Sequence, residues 1–474
     1  MTVHFDVIVI GAGSAGSGVA SALNAGGLSV GQVERWRVGG TCLNAGCDPT
    51  KTLLETAHVL HRARTADRLG LMIPRAAPDW AAIRSRVRRV IDEIRDGDGD
   101  ANVRAEGISL FKADACFVDP YTLELAPTGE RISAERIVIA TGSEEVRPAI
   151  EGLGDSDVRT NVSIIDIGAL PRRLAIIGGG TIATEFAQMF ARLDVGVTII
   201  GSADRIMPRE EPRLTDQLTE VLTSDGVTIR TGLTVRRIER RGTEHVLFGA
   251  GKDAPDEVRE LAIADMILLA AGRKPVVDLG LDRAGVEFDA KAGITVDAFL
   301  RTSAAHIWAA GDCATPRKFT HVAHYQAEQL AANILAEIRG HGDARPIEDH
   351  VIPWATFTEP ELARVGLTER EARAAGHDIV VAELSMEDQP RAIATDQQEG
   401  MVRLVVERGG GRILGGHILS ARGGEMLAEI VLAMRHDLPV SAIAETIHSY
   451  PTFGQAVQFA AQDAEQQRGA GASR

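Results

Sequence analysis

Four cysteines in 474 residues are too few and too scattered to staple a secreted disulfide framework. Surplus positive charge is also missing, since 51 Lys and Arg against 66 Asp and Glu give a formal net charge of −15. Nucleic acid and anionic membrane surfaces are themselves negative, so the balance argues against both as partners. No apolar run reaches the ~18–20 residues that a spanning helix needs, so no membrane segment is expected. The start MTVHFDVIVIGAG carries no basic leader, so no signal peptide is expected and the expected location is cytoplasmic. What remains is an ordinary globular composition, 45% hydrophobic and 25% charged, with length for roughly three domains.

Phe5–Ile10 (FDVIVI) is short, apolar and β-branched, followed by GAGSAG and an Ala-rich helical stretch from Ser17 to Leu23. That is strand, glycine turn and helix, the opening of a βαβ unit. Leu174–Ile177 (LAII), GGGTIA and EFAQMFARL repeat the pattern, and strands at Leu28–Val33 and Val195–Ile200 complete the two units. Helices are predicted over Thr50–Arg68 and Asp79–Ile94, with hairpin-like strands from Ile108 to Ile132. Apolar strands RIVIATGS, MILLAAGRKP and HIWAAGD each end in a glycine-containing turn. The last ~120 residues alternate strand and helix, with a boundary near Pro346–Val351 and a terminal Gly/Ala/Ser/Arg segment expected to fray.

A GxGxxG motif gains weight from a preceding strand, a following helix and an acid about 20 residues on. Gly11, Gly13 and Gly16 meet all three conditions, with Glu34 closing the second strand. Gly11 permits the tight turn, Gly13 lets a pyrophosphate reach the helix N-terminus, and Gly16 allows close helix packing, while Glu34 accepts from ribose hydroxyls. The second turn reads Gly178, Gly180, Ala183, and its acid position holds Gly201 followed by Ser202 and Arg205. Without a carboxylate to bind a free 2′-hydroxyl, and with an arginine nearby, this site is expected to favour NADPH over NADH.

Cys42 and Cys47 lie in GGTCLNAGCDPTK. Residues five apart in a regular helix are separated by ~7.5 Å along its axis, whereas a disulfide needs Cα atoms ~4.4–6.8 Å apart. The segment must therefore turn, and Asn44, Ala45 and Gly46 suit a turn. Asp48-Pro49 reads as a helix cap with proline at the first helical position. A redox pair is the leading reading, with two buried structural thiols as the bland alternative. No second Cys/His pair lies nearby to complete a zinc site, so no metal is expected. Cys116 and Cys313 stand alone and are expected to be buried as small apolar residues.

GGTCLNAGCDPTK resembles the redox-active motif of the pyridine nucleotide–disulfide oxidoreductases, the family of glutathione reductase, dihydrolipoamide dehydrogenase and mercuric reductase. The resemblance runs through GAGSAG, ATGS at Ala140–Ser143, GGGTIATEF, AAGD at Ala309–Asp312 and VIPWATFTEPELARVGLTE, covering essentially the whole chain. It implies an α/β protein with two Rossmann-like nucleotide-binding domains and a C-terminal α+β dimerisation domain. The expected divisions are 1–147 with 272–347 for FAD, 148–271 for NAD(P) and 348–474 for dimerisation. Hydride would pass from nicotinamide to flavin and on to the disulfide, with Cys47 proximal to the flavin and Cys42 the interchange thiol. Lys51 would pair with Glu185 near the flavin. Ser14, Gly40, Thr41, Thr141, Gly142, Gly272, Gly311 and Asp312 would join the first glycine turn in holding FAD.

The departures bear on what happens next. Where the family has a His-Pro-Thr histidine oriented by a glutamate, HSYPTFGQ places Tyr450 and Gln455. An ordinary tyrosine, with a pKa near ~10, is a poor base at neutral pH. His448 is a candidate substitute. EDQPRAIA and the tyrosine-bearing tail look closer to the mercuric reductase branch, yet no vicinal cysteine pair follows, which argues against reduction of Hg(II). Asp48 stands where the family usually has an apolar or small residue.

The expected function is therefore an NAD(P)H-dependent, FAD-containing homodimer reducing a small-molecule or protein disulfide through Cys42 and Cys47. The competing readings are a quinone or metal-ion reductase that needs no thiol-exchange base, and a non-catalytic flavoprotein redox sensor.

Overall fold

The structure, a computed structural model, describes residues 2–472 other than residues 75, 98, 155 and 341. The chain starts with β1 (Val3–Ile10), the glycine turn, α1 (Ser14–Ala25) and β2 (Val30–Val33). Val7, Ile8 and Val9 have no exposed surface, because both faces of a parallel sheet are covered. β1 lies between β2 and β6 (Glu130–Ile139), parallel to both. β3 (Ser109–Phe111) extends the sheet beyond β2, and β4 (Asp114–Asp119) and β5 (Thr122–Ala126) form an antiparallel hairpin against β6.

A second sheet is parallel throughout. It contains β7 (Val158–Arg159), β8 (Arg173–Ile177), β9 (Gly196–Ile200), β10 (Thr228–Arg230) and β11 (Met266–Leu269), ordered β10-β9-β8-β11-β7. The chain then returns to the first sheet, where β12 (Ile307–Ala309) pairs parallel to β6. A third sheet is antiparallel: β13 (Pro353–Thr356), β14 (Glu361–Gly366), β15 (Ile379–Ser385), β16 (Met401–Glu407) and β17 (Ile413–Ser420), ordered β13-β14-β17-β16-β15. Its core includes Ile430 from α7 (Ala428–Arg435) and Val457 from α8 (Gln455–Ala472). The α/β architecture thus has a mixed first sheet, a parallel second sheet and a helix-backed antiparallel sheet, with a three-stranded antiparallel sheet (Leu233–Arg241, Glu244–Gly251 and Arg259–Ala264) packed on the second. Among the described residues no helix is long and apolar enough to cross a membrane.

The two glycine turns repeat one geometry. Gly11 has φ +110° and a Cβ there would sit 2.3 Å from the Ala140 carbonyl oxygen; Gly178 has φ +130° and would meet that of Ala270 at 2.2 Å. Both turns therefore demand glycine for conformation and for space.

Two local expectations need correction. The helix after Cys47, α3, spans Cys47–Arg64 with Gly46 at its cap and no side-chain capping bond, so Asp48 is not the cap and Pro49 is not its first residue. The expected extension to Arg68 instead becomes a separate 3₁₀ turn, Ala66–Leu69, because the helix closes at Thr65. Helix α8 runs to Ala472 and so takes in the start of the terminal Gly/Ala/Ser/Arg segment; residues 473 and 474 lie outside the described residues.

Candidate active site

The thiols sit at a break between two helices. Cys42 belongs to α2 (Gly40–Ala45), and Cys47 opens α3. Gly46 between them has φ −124° and ψ −113°, and a Cβ on it would lie 2.8 Å from the Thr41 carbonyl oxygen. Only glycine lets the chain fold back tightly enough to bring the two sulfurs together. The turn is tied down by Asn44, whose amide donates to the carbonyls of Val38 (3.0 Å) and Gly40 (2.9 Å) and accepts from Arg95 (2.6 Å).

The two thiols are electrostatically unequal. A hydrogen bond from Cys42 holds the Cys47 sulfur as thiolate, and Thr320 and Lys51 add to this against the cost of burial, so its pKa falls to about 6. The same bond, with burial and the Cys47 charge, pushes Cys42 well above the ordinary thiol range. Cys47 Sγ also lies 3.3 Å from Thr320 Oγ1, at the start of α6 (Thr320–Arg339).

Lys51, one turn into α3, donates to both carboxylate oxygens of Glu185 at 3.0 and 2.9 Å. Glu185 lies on α5 (Thr181–Arg192) and is 3% exposed. It also accepts from the Phe357 amide at 2.8 Å, while Lys51 lies 4.6 Å from the Phe357 ring centroid. The two helices meet because Leu53 and Leu54 of α3 share one core with Phe186 and Phe190 of α5 and Trp80 of α4 (Trp80–Arg95).

A cleft of about 1300 Å³ joins the thiols to the first glycine turn. Gly11, Gly13, Ser14, Glu34, Gly40, Thr41, Lys51, Thr141, Gly142, Glu185, Gly311 and Asp312 all line it with Cys42 and Cys47. Gly40 has φ +59°, and a Cβ there would be 2.7 Å from Gly13 Cα, so the dithiol loop is laid directly against the nucleotide turn. α1 begins at Gly13 with neither a side-chain cap nor an acid in its first turn, which leaves its N–H groups and positive end free for a pyrophosphate. Glu34 accepts from the Ala12 amide (2.8 Å) and the Trp36 amide (2.6 Å), and a carboxylate retains further lone pairs for ribose hydroxyls. Asp312 accepts from the Ser143 hydroxyl at 2.5 Å. The volume exceeds the ~300–1,000 Å³ of an ordinary ligand pocket, and the uncapped helix end and small-residue walls fit FAD.

Other anticipated residues lie outside this lining. Gly16 packs under the turn, where a Cβ would be 2.1 Å from the Gly11 carbonyl oxygen. Gly272 has φ +113° and its carbonyl accepts from the Val146 amide where the chain re-enters the first unit. Gly178, Gly180 and the buried Ala183 form the second turn, whose helix α5 also starts at a glycine without a side-chain cap. Ser202 is exposed, and Arg205 makes an exposed ion pair with Asp216 at 3.3 Å. Tyr450 is 71% exposed and Gln455 is buried at the head of α8. The two ring nitrogens of His448 are engaged by the Thr446 carbonyl (2.9 Å) and the Glu429 carboxylate of α7 (2.8 Å). Cys313 is fully buried, whereas Cys116 is only part-buried, its sulfur 3.9 Å from Arg283. Among the described residues no group of three or more His, Cys, Asp or Glu is arranged to hold a metal ion.

Residues 5–327 match the pyridine nucleotide-disulphide oxidoreductase family, and residues 352–461 match the dimerisation domain of the same family. The chain belongs to that family. It is an FAD-dependent oxidoreductase of the pyridine nucleotide-disulfide type, and its dimerisation domain supports a homodimer. It is 34% identical to a mercuric reductase of Streptomyces lividans, over 97% of this chain and 96% of that protein. It is 30% identical to the dihydrolipoyl dehydrogenase of Bacillus subtilis, over 95% and 97% respectively. Among solved structures, it resembles the HOCl-induced flavoprotein disulfide reductase RclA from Escherichia coli (TM-score 0.84, 29% identity, 96% and 99% coverage). A Cu(II) complex of RclA superposes with TM-score 0.85 at 28% identity, covering 98% and 99%.

Within this family member, the contacts that sequence reasoning missed come from distant segments. Thr320 touches Cys47, Phe357 covers Lys51 and Glu185, and Trp354 joins the cleft wall beside Phe319, with ring centroids 5.6 Å apart. None carries a spacing signal, because each reaches the cleft from a segment far along the chain from the thiols.

Proposed function

We propose that this oxidoreductase draws electrons from NADPH and discharges them through Cys42 and Cys47 onto a disulfide acceptor. The observation that carries the reading is the placement of both thiols in the cleft that reaches the first glycine turn, with Thr320 on Cys47 and the Lys51–Glu185 pair one turn away. Bound FAD and nicotinamide supply the hydride and two-electron chemistry. The uncapped N-terminus of α1 would hold the FAD pyrophosphate, Glu34 its ribose, and Asp312 its ribityl chain. Lys51, fixed by Glu185, keeps a positive charge near the Cys47 thiolate. Cys42 would attack the acceptor once deprotonated, and Cys47 would then displace the product by re-forming the Cys42–Cys47 bond. NADPH is favoured because Gly201 replaces the usual acid at the end of β9, with Ser202 and Arg205 alongside. The weak exposed pair of Arg205 with Asp216 yields readily to a phosphate. The acceptor is a small-molecule or protein disulfide, and the cytoplasm, with its reducing nucleotide supply, is the proposed location.

An anaerobic NADPH titration followed by alkylation tests this directly. Cys47 is the readier thiolate, but bound flavin would cover it, so labelling should fall on Cys42 and abolish turnover of the acceptor. Full activity of Cys42→Ser with that acceptor overturns the reading.

A second reading, supported by His448 and Tyr450, is reduction of a quinone or metal ion. Neither ring nitrogen of His448 is free to act as a base, and such acceptors need none. A panel of glutathione disulfide, lipoamide, quinones and Cu(II) separates the two.

A further inference from the structure

Asp48 follows Cys47 in the first turn of α3, whose cap is Gly46. Freed from the capping role, its carboxylate lines the same cleft as both thiols. Its side chain makes no hydrogen bond or ion pair among the described residues; burial raises its pKa and only the charge of Lys51 opposes this. Its own charge reaches both sulfurs and disfavours their ionisation. Lys51 does not cancel it, because the ammonium is shared between the two oxygens of Glu185 and that pair is neutral overall. Thr320 on Cys47 and Phe357 on Lys51 are uncharged, burial lowers the pKa of His321 beside Phe319, and the cations Arg273 and Lys318 of the same lining gather around Asp312. A net negative charge from Asp48 therefore stands beside the two sulfurs.

We propose that Asp48 is a specificity-determining charge filter, selecting cationic or uncharged acceptors and rejecting anionic ones. The substrate class is then a disulfide flanked by amines rather than by carboxylates. This rests on the reading of Cys42 as the acceptor-facing thiol. A unit charge a few ångströms from another in a part-solvated cleft changes an encounter by about tenfold. The expected discrimination between a cationic and an anionic reagent is therefore about a hundredfold, tenfold from each sign.

The test uses FAD-loaded enzyme, reduced anaerobically, as wild type, Asp48→Asn and Asp48→Glu. Three methanethiosulfonates, bearing trimethylammonium, sulfonate or a neutral hydroxyl, are reacted with each protein, and the modified cysteine is identified by peptide mapping. The neutral reagent corrects for any change in thiol ionisation. Wild type should favour the cation over the anion at Cys42, Asp48→Asn should lose about a hundredfold of that ratio, and Asp48→Glu should restore it. Asp48→Ser serves as a second neutral variant if the amide misfolds. A cation/anion ratio unchanged in the neutral variant overturns the filter. Steady-state kcat/KM for cystamine against glutathione disulfide should shift in the same direction. If neither disulfide is turned over while the reagent ratio still depends on Asp48, the filter stands and the disulfide-reductase reading falls.

Discussion

Lys51 and Glu185, 134 residues apart, share two hydrogen bonds of 3.0 and 2.9 Å. The pair joins the helix that begins at Cys47 to the helix that begins at the second glycine turn. It fixes a positive charge within electrostatic reach of the Cys47 thiolate.

Replacing Lys51 with Met should therefore raise the Cys47 pKa by about one unit. Thiolate absorbance of the reduced enzyme, followed from pH 4 to 10, measures the midpoint. A midpoint unmoved by the substitution would mean that Cys42 and Thr320 alone hold the thiolate.

The depressed Cys47 pKa also couples redox state to stability. Its folded value, about 6, lies below the ordinary thiol value of 9.0. Its stabilising contribution is therefore fully present above pH 9 and is lost as pH falls through 6. In reducing buffer, the urea midpoint of wild type relative to Cys47→Ser should be higher at pH 9 than at pH 6. The opposite slope contradicts the assignment.

Gly11 and Gly178 meet facing carbonyl oxygens at 2.3 and 2.2 Å if given a Cβ. Gly11→Ala should cost most of the bound FAD, read as the ratio of flavin to protein absorbance. Gly178→Ala should keep the flavin and raise the KM for the nicotinamide nucleotide by about tenfold or more, an order-of-magnitude expectation for a strained turn.

Arg192, on α5, is almost wholly buried and pairs with Asp225 (3.0 Å) and Glu359 (2.6 Å), each itself buried or nearly so. Arg192→Leu removes the one buried cation that joins these two carboxylates and should destabilise by about 3 kcal/mol. The shift of the urea midpoint reports it; a loss under about 1 kcal/mol would mean that the existing contacts of Arg62 with Glu359 and of Gln188 with Asp225 suffice.

Arg205→Ala should lower kcat/KM for NADPH by about tenfold with little effect on NADH, since the contact proposed for it is to the 2′-phosphate. Equal losses with both nucleotides would remove Arg205 from the 2′-phosphate and weaken the proposed preference.

The glycine turns were legible because their chemistry is local. Strand, Gly11, Gly13, Gly16 and helix follow within one stretch of chain, and the repeat at Gly178 has the same order. The dithiol was legible for a related reason: the spacing of Cys42 and Cys47 forbids a regular helix, and Gly46 supplies the break. Asp48 was misread because a cap and a first-turn residue look alike in sequence. The boundary depends on where Gly46 breaks the backbone, and such boundaries are set by packing rather than propensity.

By itself, then, the sequence determined the α/β class, the two nucleotide turns and the thiol pair, all of which need only neighbouring residues with restricted backbone geometry. The tertiary structure alone decided the surroundings of that pair. It brought Thr320 to Cys47 and Phe357 to Lys51, occupied both nitrogens of His448 through Thr446 and Glu429, and left the Asp48 carboxylate in the cleft without a hydrogen-bond partner among the described residues. Most of these are contacts between segments far apart in the chain, fixed by buried apolar packing among α3, α4 and α5 and by the loops that close over it. Spacing along one segment carries no record of which distant segment will face it.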